Sequence, residues 1–190
     1  MTLFIFLQSI LSLFPPLDFY NISFADADGQ EINMSDFRGK RILVVPMDAP
    51  SVDTIDFSYL DSVQNATPGL QIIVVPAINS LNGQTPQEVQ VAKEHIHSTI
   101  ILSALADITR NAEAYQHTLF QWLTKTENNQ HFDVDGKPGQ YFLVSGKGTL
   151  YAVLDQGSPL SSLEYVLQQQ FDESNEYILN QETNTYEPKE

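Results

Sequence analysis

The chain has 190 residues and no cysteine, which excludes a disulfide, a thiolate metal site and a thiol redox couple. Its net charge of −15 leaves nothing to neutralise a run of phosphates, so nucleic acid is excluded as a partner and an anionic membrane surface is disfavoured; solubility is the plain reading of the acidity. Hydrophobic residues make up 42% of the chain, enough for one domain with a sizeable core.

Residues 3–14 are strongly apolar, of a length that suits a signal-peptide core and is short for a membrane span. No Lys or Arg precedes Arg38, and Pro15-Pro16 follows at once. Three readings fit: a signal sequence whose true start lies upstream, a short anchor, or a first element packed on the domain. The first is preferred, making the protein exported or envelope-associated; otherwise it is cytoplasmic, and a membrane is a partner only if residues 3–14 anchor it.

Leu17 to Phe24 alternates loosely and Asp26-Ala27-Asp28-Gly29-Gln30 makes a turn, which predicts a β-hairpin. Met34 to Lys40 reads as a short helical turn. Arg41 to Val45 is an apolar, β-branched run expected to be a buried central strand, with a loop over 46–53. Ile55, Tyr59, Leu60 and Val63 share one face of a helix over Thr54–Gln64, capped by Asp53 or Thr54. Leu70 to Val75 is a second buried strand ending at Pro76. Pro86 begins a helix to about Ile96, Thr99 to Leu102 is a short strand, and Ala112 to Thr124 a helix with Tyr115, Leu119, Trp122 and Leu123 inward. Asn128 to Gly139 is a loop, Gln140–Val144 and Thr149–Leu154 a second hairpin, and Ser161 or Ser162 caps a helix to about Phe171. Residues 172–190 turn acidic and lose periodicity, so they read as a tail, partly ordered around Tyr177, Ile178 and Tyr186.

This order predicts an α/β protein whose mixed central sheet carries helices on both faces, with an N-terminal hairpin. In such folds the working site lies at the carboxyl end of the first central strand, here the loop that carries Ser51.

Several segments together resemble the glutathione peroxidases of the thioredoxin-like superfamily. Asp28-Gly29-Gln30-Glu31, then Met34-Ser35-Asp36-Phe37-Arg38-Gly39-Lys40, is similar to that family's opening "DGKxxxLSDYKGK". Ile42–Val45 matches its first core strand, and Gly83-Gln84-Thr85-Pro86 resembles the end of "FPCNQFGxQEP". Leu119-Phe120-Gln121-Trp122-Leu123 resembles "PLYKWL", and Tyr141-Phe142-Leu143-Val144 resembles "KFLV". The likeness spans residues 17–171, between the apolar segment 1–16 and the tail 172–190. It implies a thioredoxin-like fold, with the peroxidatic Cys or selenocysteine on Ser51 and the family's glutamine on Gln84. The tryptophan and asparagine of its "WNFTKFL" fall near Lys137 and Pro138, and a second-loop cysteine near Ala77, so only the glutamine survives.

What the resemblance implies for function follows from the chemistry of oxygen against sulfur. A serine hydroxyl is scarcely ionised at neutral pH and cannot pass through a sulfenic acid, so thiol peroxidase activity is expected to be lost. The favoured reading is a binding or interaction module for an unknown protein or peptide, with a groove between Ser51, Gln84 and Pro138 and no cofactor. Pro138 is either a cis-proline, which would leave a backbone edge able to pair with an extended peptide, or part of a plain Pro-Gly turn. The alternatives are a peroxidase-type oxidoreductase with a non-standard site, and hydrolysis by Ser51 with His95, His97, His117 or His131 as base. The second lacks a Gly-x-Ser-x-Gly setting. His95-x-His97 with Asp107 is a possible metal set, but on a helix the two imidazoles diverge, so no metal is expected. Asp48, Asp53 and Asp56 ring the Ser51 loop with negative charge, which a reactive thiolate would not favour.

Overall fold

The computed structural model describes residues 15–48, 57–78, 99–110, 116–169, 177–180 and 185–188. Short strands β1 (Ser23–Ala25) and β2 (Glu31–Asn33) form the expected antiparallel hairpin, closed by Asp26, whose carboxylate accepts from the N–H groups of Asp28 and Gln30. Then follow β3 (Arg41–Asp48), α1 (Phe57–Ala66), β4 (Leu70–Ala77), β5 (Ile101–Leu102), α2 (Thr118–Thr124) and the single turn α3 (Thr126–Asn129). Strands β6 (Tyr141–Val144) and β7 (Leu150–Leu154) and helix α4 (Leu160–Gln168) close the domain.

Five strands form one sheet in the order β5-β4-β3-β6-β7. β3, β4 and β5 run parallel, and β6 runs antiparallel to both β3 and β7. Because side chains alternate along a strand, the central strands feed two cores. Ile42, Val44, Ile73, Val75, Phe142 and Val144 pack against Leu119, Phe120, Trp122 and Leu123 of α2. Leu43, Val45, Met47, Ile72, Val74 and Leu143 pack against Phe57, Leu60 and Val63 of α1 and Leu163 and Leu167 of α4. The mixed sheet with helices on both faces and an N-terminal hairpin is the architecture the element order predicts.

Both central strands outrun their sequence-based ends. The loop expected from Pro46 is still strand through Asp48, and β4 runs through Pro76 to Ala77. Proline cannot donate to a ladder and is normally kept out of central strands. Here each ring faces a gap. The Pro46 carbonyl accepts from Gly139 N–H and the Pro76 carbonyl from Ala106 N–H. A residue's nitrogen lies on the same side of an extended strand as its carbonyl, so each missing N–H points where β6 or β5 has already given way to a loop.

Gln64, buried on α1, fills a similar gap at the other end of β4. Its Oε1 accepts from Ile72 N–H at 2.7 Å, on the side where β5 has not yet begun, and its Nε2 donates to Thr99 Oγ1. The carbonyl of Gly69 meanwhile takes the Arg41 N–H at 2.8 Å, starting the β3–β4 ladder.

Three further expectations need correcting. Of the helix expected over 112–124, residues 111–115 lie outside the described residues, Gln116 and His117 are not helical, and α2 begins at Thr118 after His117 at φ −52°, ψ 133°. The expected loop 128–139 opens with Asn128 and Asn129 still helical in α3. Helix α4 is preceded by Pro159 in extended conformation, so Ser161 and Ser162 lie inside it and cap nothing. Within residues 172–190, β8 (Tyr177–Asn180) and β9 (Thr185–Pro188) pair as an antiparallel hairpin that includes the Tyr177, Ile178 and Tyr186 singled out in the sequence. Gln84, the Ser51 loop and the helix expected after Pro86 lie outside the described residues.

Candidate site at the carboxyl end of the sheet

Three chain segments meet where β3 ends. Asp48 is its last residue and stands in register with Ala77, the last residue of β4. Ala77 is bridged in turn to Ala106, and Ile78 N–H donates to the Ala106 carbonyl at 2.8 Å. On the other side lies the turn that leads into β6. Its Gly139 N–H donates to the Pro46 carbonyl at 2.8 Å, which lays Pro138-Gly139 beside the last residues of β3. Of the predicted site residues, Lys137 and Pro138 are thus brought to this end of the sheet; Ser51 and Gln84 lie outside the described residues.

The turn itself resolves the two readings of Pro138. No described peptide bond is cis, Gly139 has φ +83°, and Gln140 N–H approaches the Lys137 carbonyl at 3.4 Å. Proline followed by glycine at positive φ is the type II turn. Gln140, almost fully buried, holds it from below: its Oε1 accepts from Lys137 N–H at 2.8 Å and its Nε2 donates to Asp155 Oδ1 at 3.3 Å. The backbone edge that a cis-proline would have offered to an extended peptide is therefore closed. Lys137 uses its N–H and its carbonyl internally, and Pro138 has no N–H to give.

Asp48 carries an unusual local debt. Its Oδ1 is buried and has no hydrogen-bond partner. Alternation along β3 puts it on the face of Ile42 and Val44, the α2 side of the sheet.

The two described histidines are placed apart in function as well as in space. His117 precedes α2, with its N–H on the Asp107 carbonyl at 2.7 Å and its ring edge-on to Phe24 and Phe120. Its Nδ1 is buried and unpartnered, and burial pushes its pKa down from 6.5 to about 4. His131 lines a cleft of about 310 Å³ with Trp122, Asn128 and Gly148. Gly148 belongs to the β6–β7 turn, and Val144 of β6 pairs with Ile42 near the start of β3, so His131 is at the opposite end of the sheet from Asp48. Burial lowers its pKa too. His95 and His97 lie outside the described residues. Asp107, their expected companion, spends its Oδ1 on the N–H and hydroxyl of Thr109. Among the described residues no three His, Asp or Glu side chains gather as metal ligands, and no helix is long and apolar enough to cross a membrane.

The state of His117 predicts a pH dependence. With a native pKa near 4 against 6.5 unfolded, the unfolded chain binds more protons between those values. The stability contributed by the neutral ring is complete above about pH 6.5 and is lost progressively down to about pH 4, by a few kcal/mol. Urea unfolding of the native chain and of His117→Phe across pH 4–7 measures it. The variant is expected to show the flatter profile; parallel profiles would show that the ring is not the source.

Missed by sequence reasoning were Asp48 as an unpaired acid, treated there only as part of a charged rim, and Gln140 as the keel of the turn. An alternation count extended through Pro46 would have put Asp48 on the inner face.

Comparison with known proteins agrees with this topology. No family model matches the chain, and no curated protein matches it. Solved structures do. T. cruzi GPX1 aligns with a TM-score of 0.55 and 14% identity over 80% of this chain and 94% of that one. DsbF of MTB aligns at 0.53 and 12% over 80% and 96%. A thioredoxin-family thiol:disulfide interchange protein from Chlorobium tepidum TLS aligns at 0.52 and 14% over 82% and 96%. The fold is thioredoxin-like, and its structural neighbours include both peroxidase-type and thiol–disulfide oxidoreductase proteins.

Proposed function

We propose that this chain is a degenerate relative of the glutathione peroxidases that has lost thiol peroxidase activity and serves as a binding module for a protein or peptide. The observation that carries the reading is a thioredoxin-like fold built from a chain with no cysteine anywhere in its 190 residues. Reduction of a peroxide by such a site needs an ionised sulfur or selenium that attacks one oxygen, expels the other and is then re-reduced. The hydroxyl at Ser51 is not ionised at neutral pH and has no oxidised form that a thiol could recycle. The two further family positions that fall near Lys137 and Pro138 hold an exposed cation and a turn proline.

Two features favour binding by side chains over strand pairing: the closed backbone at Lys137–Gln140 and the unpaired acceptor on Asp48.

Peroxide and organic hydroperoxide consumption, with glutathione and with thioredoxin as reductants, tests the lost chemistry. The native protein is expected to be inert. Ser51→Cys is expected to react stoichiometrically with peroxide, giving a sulfenic acid that a dimedone-type trap labels, with slow turnover because the neighbouring family residues are missing. Turnover by the native chain would overturn the reading.

A further inference from the structure

We infer that the cleft between α1 and α4 is the docking site of the chain's own C-terminal hairpin, which covers it with the ribbon face that carries Tyr177, Leu179, Tyr186 and Pro188.

The register of the hairpin divides it sharply. Tyr177 stands opposite Pro188 and Leu179 opposite Tyr186, while Ile178 stands opposite Glu187 and Asn180 opposite Thr185. Directly opposed residues share one face of an antiparallel ribbon, and the faces alternate along each strand. Positions 177, 179, 186 and 188 therefore make one face, every residue of it aromatic or apolar. Positions 178, 180, 185 and 187 make the other, which takes Asn180, Thr185 and Glu187. Two strands alone are marginally stable in water and need an apolar surface to pack on.

The domain has such a surface where α4 ends. A cleft of about 490 Å³ lies between α1 and α4. Tyr59, Val63 and Ala66, successive on one face of α1, line it together with Leu167 of α4 and Pro68 of the α1–β4 turn. Leu160, one turn before Glu164 on the same side of α4, is 45% exposed and extends the apolar surface along the helix. The two charged residues that line the cleft are engaged locally. Arg41 Nη1 donates to the Leu167 carbonyl at 2.8 Å, and Glu164 faces the Tyr59 hydroxyl at 3.4 Å. The cleft thus suits an apolar occupant better than an ion.

Chain length and charge select the occupant. Gln168, the last residue of α4, itself lines the cleft, and β8 begins at Tyr177. Residues 169–176 span at most about 30 Å when extended, so the hairpin is tethered within reach of the cleft. Tethering gives it an effective concentration that a separate partner has to supply from solution. A second copy carries the same hairpin, but two chains of net charge −15 repel each other.

Paramagnetic broadening in the full-length protein tests the docking. The chain has no cysteine, so one introduced thiol takes a nitroxide at a single place. Asn65→Cys sets the label beside the cleft, at an exposed position of α1 that does not line it. Glu127→Cys sets it on α3, next to α2 on the other side of the sheet. The Asn65 label is expected to remove most of the amide intensity of residues 177–180 and 185–187, and the Glu127 label to leave it intact. A tether alone brings the hairpin near α1 at times, so release is the deciding measurement. Leu179→Asp and Ala66→Asp, each placed in the Asn65-labelled chain, are expected to restore the hairpin signals. Unchanged amide spectra for α1, β3 and β4 establish that both variants are folded. Full hairpin intensity beside the Asn65 label overturns the inference, as does broadening that survives both substitutions. A mixture of isotopically labelled native chain with spin-labelled, unenriched Asn65→Cys should show sharp hairpin signals. Broadening there would seat the hairpin on a second copy and overturn docking within the chain.

Discussion

Asn129→Ala is expected to destabilise the protein by about 4 kcal/mol, a large share of the stability of an ordinary domain. The side chain is almost completely buried at the end of α3 and satisfies backbone groups from three directions. Its Nδ2 donates to the carbonyls of Trp122 and Leu123, both at 3.1 Å, and of Phe132 at 2.9 Å. Its Oδ1 accepts from His131 N–H at 2.8 Å and Phe132 N–H at 2.7 Å. Trp122 and Leu123 are among the last residues of α2, whose carbonyls have no partners within the helix, so one amide caps α2 and closes the turn that follows it. Gln130, at φ +67°, bends the chain back to make this possible. Truncation removes the one amide that serves all of these groups at once. Asn129→Asp should be at least as damaging near neutral pH, since it keeps the shape but sets a carboxylate oxygen against carbonyls. Urea midpoints of the two variants decide the matter: a loss under 1 kcal/mol in both would mean that the turn holds itself.

None of that was legible beforehand, and the reason is physical. Asn129 sits in a stretch without hydrophobic periodicity, which reads as a loop, and periodicity carries no signal for a polar side chain whose work is to serve the backbone. The central strands were legible because parallel strands buried on both faces are continuous apolar runs, and Ile42–Val45 and Leu70–Val75 are such runs. Their ends were not, because Pro46 and Pro76 are tolerated only through the sheet order, which leaves the neighbouring strand absent on the side each ring faces. The Pro138 turn offered two readings that composition could not separate. The φ of Gly139 and the buried Gln140 beneath it separate them. Helix α2 was drawn too long because the inward spacing of Tyr115, Leu119 and Trp122 carries no mark of the non-helical backbone at His117. As for the candidate site, its place at the end of β3 is what the topology suggests, and the absence of cysteine is plain in the residues. The unpaired oxygen on Asp48 came into view only with the structure, since no sequence pattern marks it.

Gly136→Ala is expected to cost about 3 kcal/mol through overpacking alone, with no contribution from backbone strain. Gly136 does not occupy a positive φ, so the chain needs no glycine there for its conformation. It needs one for space. A Cβ built on it would lie 2.3 Å from the Ile108 carbonyl oxygen and 3.1 Å from Phe120 Cδ1. The first contact is with backbone and cannot be relieved by turning a side chain. Ile108 is buried, and its carbonyl also takes the Gln116 amide at 3.1 Å, so moving it breaks a second interaction. The segment is tied to the end of β4 through Ala106, which donates to the Pro76 carbonyl and accepts from Ile78. A methyl group at residue 136 should therefore be felt at the candidate site, as faster amide exchange at Ala106 and Ile78. Gly29→Ala gives the contrasting case: nothing lies within 4 Å of its Cβ, but its φ is +79°, and about 1 kcal/mol of backbone strain is all that is expected. If the two variants lost equal stability and both left exchange at Ile78 unchanged, Gly136 would be marking a turn and not a close approach of two chains.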